Sequence, residues 1–283
     1  MNDSVTAPIL VTVAACQLPL AVGNVSANVA ESIVAIRSAA TAGARVIGLP
    51  ELTPSGYVFS SLSEAKDMAE SVGGTTVTTW TELAAELNVV IVGGICEFNG
   101  DAKPWNSSVV IDPSGLRAVY HKVHLWGDEP DFFTAGDQPP PVVDTFVGRI
   151  ATMICYDLEF PEWIRLAALA GADILVVPTN WPAEPERATP TPMEVVRAQA
   201  GAGVNRMAIV VADRCGTERG VDWTGGSCVV AATGHLAAGP TETAIRAILV
   251  TTLDLTLSRD KRIGARNDAL IDRRPTLYGM VAS

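Results

Sequence analysis

The sequence predicts an α/β fold in which mixed β-sheets are covered by helices. Three observations carry this. Short β-branched runs alternate with helical patterns through the first two thirds of the chain, a hairpin signal interrupts that alternation, and the last third is mostly strand. No composition shift, Gly/Ser linker or internal repeat divides the 283 residues, so a single domain is expected over 1–283.

The first strand is expected over residues 9–16. Asn24 is placed to cap a helix in which Val25, Val29, Ile33, Ile36 and Ala40 keep helical spacing, and Gly43 ends it. A short strand at 45–49 runs into Pro50-Glu51, a second helix covers about 76–87, and a buried strand follows at 89–97. Strands at 107–112 and 116–121 flank the turn Asp112-Pro113-Ser114-Gly115. Residues 122–141 are irregular but rich in aromatic side chains, as in a functional loop rather than a linker. A strand at 149–154 arrives at Cys155. Pro161 suits the first turn of a helix expected to bury Trp163, Leu166, Ala167 and Ala170. Then come a strand at 173–177, an irregular proline-rich stretch at 180–192, and a helix to about 204. Strands are expected at 207–212, 227–231, 235–238 and 244–253 before a polar tail.

Composition bounds the function. The chain is 48% hydrophobic and 18% charged, which rules out a disordered polymer. Its longest apolar runs, 89–96 and 174–177, are far below the ~18 residues that span a bilayer. The first 36 residues hold no Lys or Arg, so no secretory signal is expected. A net charge of -11 would repel nucleic acid and anionic lipid over most of the surface. Five widely spaced cysteines with no C-x-x-C, four of them in or beside apolar strand-like runs, fit the reducing cytoplasm rather than a disulfide framework.

Phosphate-loop, dinucleotide-binding, H-E-x-x-H and G-x-S-x-G motifs are all missing. His121 and His124 lack a third ligand nearby and read as polar residues at a strand end. Cys155 differs from the other cysteines. It sits where a strand turns toward a helix, a place where helix N–H groups can favour thiolate and bind an oxyanion. A buried structural cysteine is the equal alternative. Glu51 and Lys122 also end strands, and singly they read as solvated charges. Together with Cys155 they supply a base, a cation and a nucleophile. Spacing alone does not bring them together.

The segments Gly48-Leu49-Pro50-Glu51, Tyr120-His121-Lys122-Val123-His124-Leu125 and Ile154-Cys155-Tyr156-Asp157-Leu158-Glu159-Phe160-Pro161-Glu162 resemble the three signature blocks of the nitrilase superfamily, the carbon–nitrogen hydrolases. The similarity continues through 24–43, Phe133-Thr134-Ala135-Gly136-Asp137, 172–182, Asn205-Arg206 and Asp213-Arg214-Cys215-Gly216, in order and over nearly the whole chain. The resemblance implies an αββα sandwich, no metal or organic cofactor, and a homodimer or higher homo-oligomer formed through helices.

It also implies roles. Glu51 is the general base, Lys122 stabilises the tetrahedral intermediate, and Cys155 is the nucleophile. Counting back from Phe133 places the second glutamate of the family at Glu129, where it would hold Lys122, and the backbone N–H of Tyr156 would complete the oxyanion hole. Cys155-Tyr156-Asp157 is nearer to amidase and carbamoylase branches than the Cys-Trp-Glu of true nitrilases. The expected reaction is therefore hydrolysis of small aliphatic amides to carboxylate and ammonia through a thioester. N-carbamoyl amide hydrolysis or ω-amidase activity is the alternative, nitrile hydrolysis comes third, and an inactive binding protein is the non-enzymatic reading. Tyr57, Trp126 and Trp181, with Phe132, Phe133 and Pro182, are expected to wall the substrate pocket. That wall is neutral, which favours uncharged short-chain amides over those with a free carboxylate.

Overall fold

The computed structural model describes residues 7–183, 191–242 and 245–279. In chain order the elements are β1 (Leu10–Gln17), α1 (Val25–Thr41), β2 (Val46–Gly48), α2 (Leu62–Asp67), α3 (Thr75–Leu87), β3 (Val90–Glu97), β4 (Trp105–Asp112) and β5 (Gly115–His121). They continue with α4 (Glu129–Phe132), β6 (Val142–Thr145), β7 (Gly148–Thr152), α5 (Pro161–Leu169), β8 (Ile174–Pro178), α6 (Met193–Asn205) and β9 (Ala208–Ala212). Two short strands, β10 (Thr217–Glu218) and β11 (Val221–Asp222), precede β12 (Cys228–Val230), β13 (Leu236–Ala238), β14 (Ala247–Asp254) and α7 (Leu255–Arg259).

Two six-stranded sheets result, ordered β14-β1-β2-β3-β4-β5 and β13-β12-β9-β8-β7-β6. Each has three parallel strands at its centre, β1-β2-β3 in one and β7-β8-β9 in the other, with antiparallel strands outside. The sheets pack face to face through Val13, Val46, Val90, Val92, Ile150, Ile174, Val176 and Val210. Alternate residues of the same strands, such as Ile91, Leu175 and Ile209, face outward onto helices. Both faces are thus covered, which is why these strands read as unbroken apolar runs. Helices α1 and α3 cover the first sheet, α5 and α6 the second, and the order of layers is αββα. No helix among the described residues is long and apolar enough to cross a membrane.

Several expectations need correction. Asn24 stands at the N-cap of α1 but makes no side-chain cap hydrogen bond. Of the apolar series on α1 only Ile36 is buried, and Val25, Val29, Ile33 and Ala40 are half-buried. The buried face also carries Asn28, Ser32, Ala35 and Ala39, with Ile33 and Ala40 packed at its edge. Its polar members are partnered: Asn28 donates to the carbonyls of Ala21 and Pro54, and Ser32 accepts from Trp80 Nε1 at 3.0 Å. On α5, Leu166 and Ala170 are exposed and Trp163 half-buried, whereas Ile164, Ala167 and Ala168 face the core. The short elements α2, α4, α7 and β6 form without a sequence pattern long enough to announce them. Residues 184–190 of the proline-rich stretch, and Ala244 at the expected start of the last strand, lie outside the described residues. That last strand, β14, returns to pair antiparallel with β1 and so completes the first sheet.

Candidate active site

Glu51, Lys122 and Cys155 leave β2, β5 and β7 at one end of the sandwich. Strand β5 runs in the same direction as β2 and β3, so its C-terminal end opens at the same edge. The two sheets are tied together there, because Asn180, just beyond β8, donates from Nδ2 to the Glu51 carbonyl at 3.0 Å. The parallel strands deliver their C-terminal ends to a shared crevice, where α/β sheets place their ligands.

Lys122 and Glu51 have no exposed side-chain surface, and Glu129 is buried too. Lys122 Nζ donates to Glu51 Oε1 at 2.8 Å and to Glu129 Oε1 at 2.7 Å. Glu129 is fully engaged, for Oε1 also accepts from Tyr57 Oη at 2.7 Å and Oε2 accepts the Trp126 backbone N–H at 2.9 Å. Glu51 is not. Its Oε1 takes Lys122 and Asn106 Nδ2, while Oε2 is buried with no hydrogen-bond partner among the described residues. One carboxylate therefore holds the lysine, and the other keeps a lone pair available for a proton.

The charges follow from this geometry. Burial pushes the Glu51 carboxyl up to about 7, helped by Glu129 and only partly opposed by Lys122. Burial alone would lower Lys122, but two carboxylates outweigh it and hold the ammonium well above its usual range. Burial and the neighbouring Glu129 keep the Tyr57 hydroxyl protonated, as its role of donor requires.

Cys155 opens a 3-10 turn, Cys155–Glu159, rather than the helix itself, which begins six residues later at Pro161. Its φ of +46° is a left-handed conformation that costs a non-glycine residue roughly 1–3 kcal/mol. Asp157 locks the turn. Oδ2 accepts the Ile154 N–H and the Tyr120 hydroxyl, and Oδ1 accepts the His124 N–H with His124 Nδ1 at 2.6 Å. A helix start beside Cys155 would favour thiolate, but burial and the adjacent Glu51 push the thiol well above its usual value despite Lys122. His124 is held by Asp157 and His121 by Glu97, so each ring serves its own carboxylate.

Cys155 lines a cavity of about 120 Å³ with Trp126, Tyr156, Trp181 and Pro182. Trp181 is fixed through its backbone N–H by buried Asp213, which also accepts from Arg214 and Gly226. The neutral wall expected from sequence is contradicted, since Glu159, Glu194 and Arg197 line the same cavity and Arg197 lies 2.9 Å from Glu159. They come from the turn after Cys155 and from α6, and no local pattern shows that these elements meet at one cavity. Tyr57, Phe132 and Phe133 line an adjoining cavity of about 310 Å³ that shares Trp126 and Pro182. Asn106, Asn180 and Asp157 escaped assignment. Asn180 stood inside a quoted block, and Asn106 is a lone amide entering an apolar strand.

The carbon-nitrogen hydrolase model matches residues 12–262. A protein of Pyrococcus abyssi named nitrilase is 37% identical over 246 residues, covering 86% of this chain and 89% of its own. An N-carbamoylputrescine amidase of Solanum tuberosum is 34% identical over 289 residues, or 95% and 94% of the two chains. A solved amidase of the nitrilase superfamily from Nesterenkonia superposes with a TM-score of 0.79 at 25% identity, covering 98% of each chain. Another structure of that amidase carries the acetamide moiety of fluoroacetamide added covalently at its active-site cysteine. This chain belongs to the carbon-nitrogen hydrolase family and is a hydrolase of carbon–nitrogen bonds, amides among them.

Proposed function

We propose that the protein hydrolyses small aliphatic amides to a carboxylate and ammonia through a thioester on Cys155. The observation that carries this reading is the unshared Oε2 of Glu51 beside a buried lysine, with Cys155 opening on a small cavity. Glu51 removes the thiol proton as Sγ bonds to the amide carbon, and the oxyanion so formed is met by Lys122 Nζ and the Tyr156 N–H. The carbon–nitrogen bond breaks as Glu51 returns its proton to nitrogen, and ammonia leaves. Water then attacks the thioester, giving one proton to Glu51, the thiolate leaves and recovers that proton, and the carboxylic acid loses water's second proton to solvent or ammonia as it departs as the carboxylate.

Glu129 touches no reacting atom in this scheme. It holds Lys122 in place. Trp126 and Trp181 border the acyl group, and a cavity of about 120 Å³ suits a short chain. Tyr57 acts on the lysine side, through Glu129, rather than on the acyl group.

A second reading, hydrolysis of N-carbamoyl or ω-amide compounds, is favoured by Glu159, Glu194 and Arg197, which give the cavity charged partners for a polar far end. Ammonia release from propionamide, N-carbamoylputrescine and succinamate separates the two, and mass spectrometry tests for an acyl adduct on Cys155. Failure to release ammonia from any amide would sink the main reading. The same reading takes the chain as a homodimer joined through α5 and α6, which expose Leu166, Leu169 and Val204, with sedimentation as its test. Its five unpaired, buried cysteines suit a reducing cytoplasm.

A further inference from the structure

A buried ion pair braces the catalytic cluster from behind. Arg214, just beyond β9, donates from Nη1 and Nη2 to the two carboxylate oxygens of Glu218 at 3.1 and 2.8 Å, and from Nη2 to the Leu20 carbonyl. Its guanidinium lies 4.6 Å over the Trp223 ring. Arg214 is fully buried and Glu218 nearly so. Glu218 Oε2 in turn accepts two successive backbone N–H groups, Tyr57 at 3.0 Å and Val58 at 2.7 Å.

The first of those amides belongs to the residue that grips Glu129, and the second to its neighbour. Tyr57 packs edge-on against Trp223 at 5.4 Å, and its hydroxyl reaches the same Glu129 oxygen that accepts from Lys122 Nζ. A continuous series of contacts thus runs from Arg214 through Glu218, Tyr57 and Glu129 to Lys122. The loop passes close against Val22 and Glu218 at this point. Gly56 has φ +77°, and a Cβ there would lie 2.3 Å from Val22 Cα and 2.6 Å from Glu218 Oε1. Burying an ion pair is costly unless its remaining hydrogen bonds are made. Here Glu218 makes its remaining bonds to backbone amides of the loop that carries Tyr57, while Arg214 Nε is buried with no hydrogen-bond partner among the described residues.

We propose that Glu218 is a positioning residue for catalysis: it fixes the backbone at Tyr57 and Val58 so that the Tyr57 hydroxyl holds Glu129 against Lys122. It touches no substrate, and its influence passes through that hydroxyl. The proposal rests on Lys122 being the cation of the reaction described above.

The test is a double-mutant cycle with Glu218→Asp, Tyr57→Phe and the pair combined. Aspartate keeps the charge opposite Arg214 but is one methylene too short to hold both amides, whereas glutamine would leave the guanidinium buried without its counter-charge. Each single variant should lower kcat for propionamide roughly tenfold or more while KM moves less than about twofold. The combined variant should be no slower than Tyr57→Phe alone, within about twofold. Losses that multiply, or a Glu218→Asp enzyme with wild-type kcat, overturn the proposal. If Glu218→Asp does not fold, Arg214→Lys enters the same cycle with the same expectations. Alkylation of Cys155 by chloroacetamide reads the cluster without turnover. Should the wild type hydrolyse no amide while the alkylation rates keep the non-multiplying pattern, the proposed function fails and the role of Glu218 stands.

Discussion

Glu51 and Lys122 are joined through one carboxylate oxygen only, Oε1 at 2.8 Å from Nζ, while the second oxygen of Glu51 meets no donor among the described residues. A carboxylate kept solely for an ion pair would engage both oxygens, as Glu129 does. The asymmetry separates two glutamates that differ little in sequence context. One is saturated with donors and the other is free to take a proton.

Activity should therefore follow the ionisation of Glu51. Its pKa of about 7 in the folded enzyme predicts that kcat/KM falls on the acid side with a midpoint near that value, because a protonated carboxyl cannot receive the thiol proton. A profile flat from pH 6 to 8 would remove Glu51 as the base. Stability should show the opposite sign. A carboxyl raised from 4.5 to about 7 by folding binds more protons folded than unfolded across that window. Its stabilising contribution is complete below about 4.5 and lost as pH rises through about 7. The Tm of Glu51→Gln relative to wild type should thus increase between pH 5 and pH 8.

Cys155→Ala should abolish turnover and keep the fold, since a methyl group cannot form the thioester. The left-handed φ of +46° persists as a strain in the variant, so no gain in stability is expected beyond the loss of one buried thiol. Cys16→Ala or Cys96→Ala should cost about 1–2 kcal/mol in packing and leave kcat unchanged. Urea unfolding and ammonia assays on the three variants check both halves. Retained turnover in Cys155→Ala would exclude the thioester.

The framework was legible because strands covered on both faces must be apolar throughout, and runs such as 89–97 and 173–177 announce them. Glu51, Lys122 and Cys155 were legible as strand-end residues, but spacing alone did not bring them together, and only the resemblance to the nitrilase superfamily proposed roles for them. Glu159, Glu194 and Arg197 were not, because they converge from a turn and a helix whose packing angle is set by the second sheet. The surroundings of the thiol were hidden for a related reason. Local sequence shows a strand leading toward a helix start, whereas burial and Glu51, a residue more than a hundred positions away, push the thiol upward. Asn28 and Ser32 likewise face inward on α1 only because partners from distant loops and α3 satisfy them.

Gly94 on β3 holds Glu51 in place by close approach. Its N–H donates to the Pro50 carbonyl and its carbonyl accepts from Thr53, so the strand grips the turn that carries Glu51. A Cβ at this position would lie 2.5 Å from Leu52 N and 2.6 Å from Glu51 Cα, both backbone atoms that cannot rotate aside. Gly94→Ala should therefore displace Glu51 from Lys122 and cut kcat at least tenfold, with a stability loss of about 1–3 kcal/mol from overpacking. Wild-type activity in a folded Gly94→Ala variant would show that the position of Glu51 is not critical.

Trp181 is the side chain whose removal should change substrate choice. It lines the cavity above Cys155, yet its backbone N–H is held by Asp213 at 3.0 Å independently of the ring, so truncation leaves the loop anchored. Losing a nearly buried indole costs about 3–5 kcal/mol in stability, and part of the vacated volume joins a cavity of only about 120 Å³. Each methylene of a longer acyl chain then finds apolar surface to cover, worth about 0.8 kcal/mol or roughly fourfold in kcat/KM. The wild type should prefer propionamide to hexanamide, and Trp181→Ala should reverse that order by a net change of at least tenfold. The comparison is made as a ratio within each enzyme, so a general loss of folded protein cancels. If the ratio stays constant, the acyl chain does not lie against Trp181 and must extend instead toward the adjoining cavity bordered by Phe132 and Trp223.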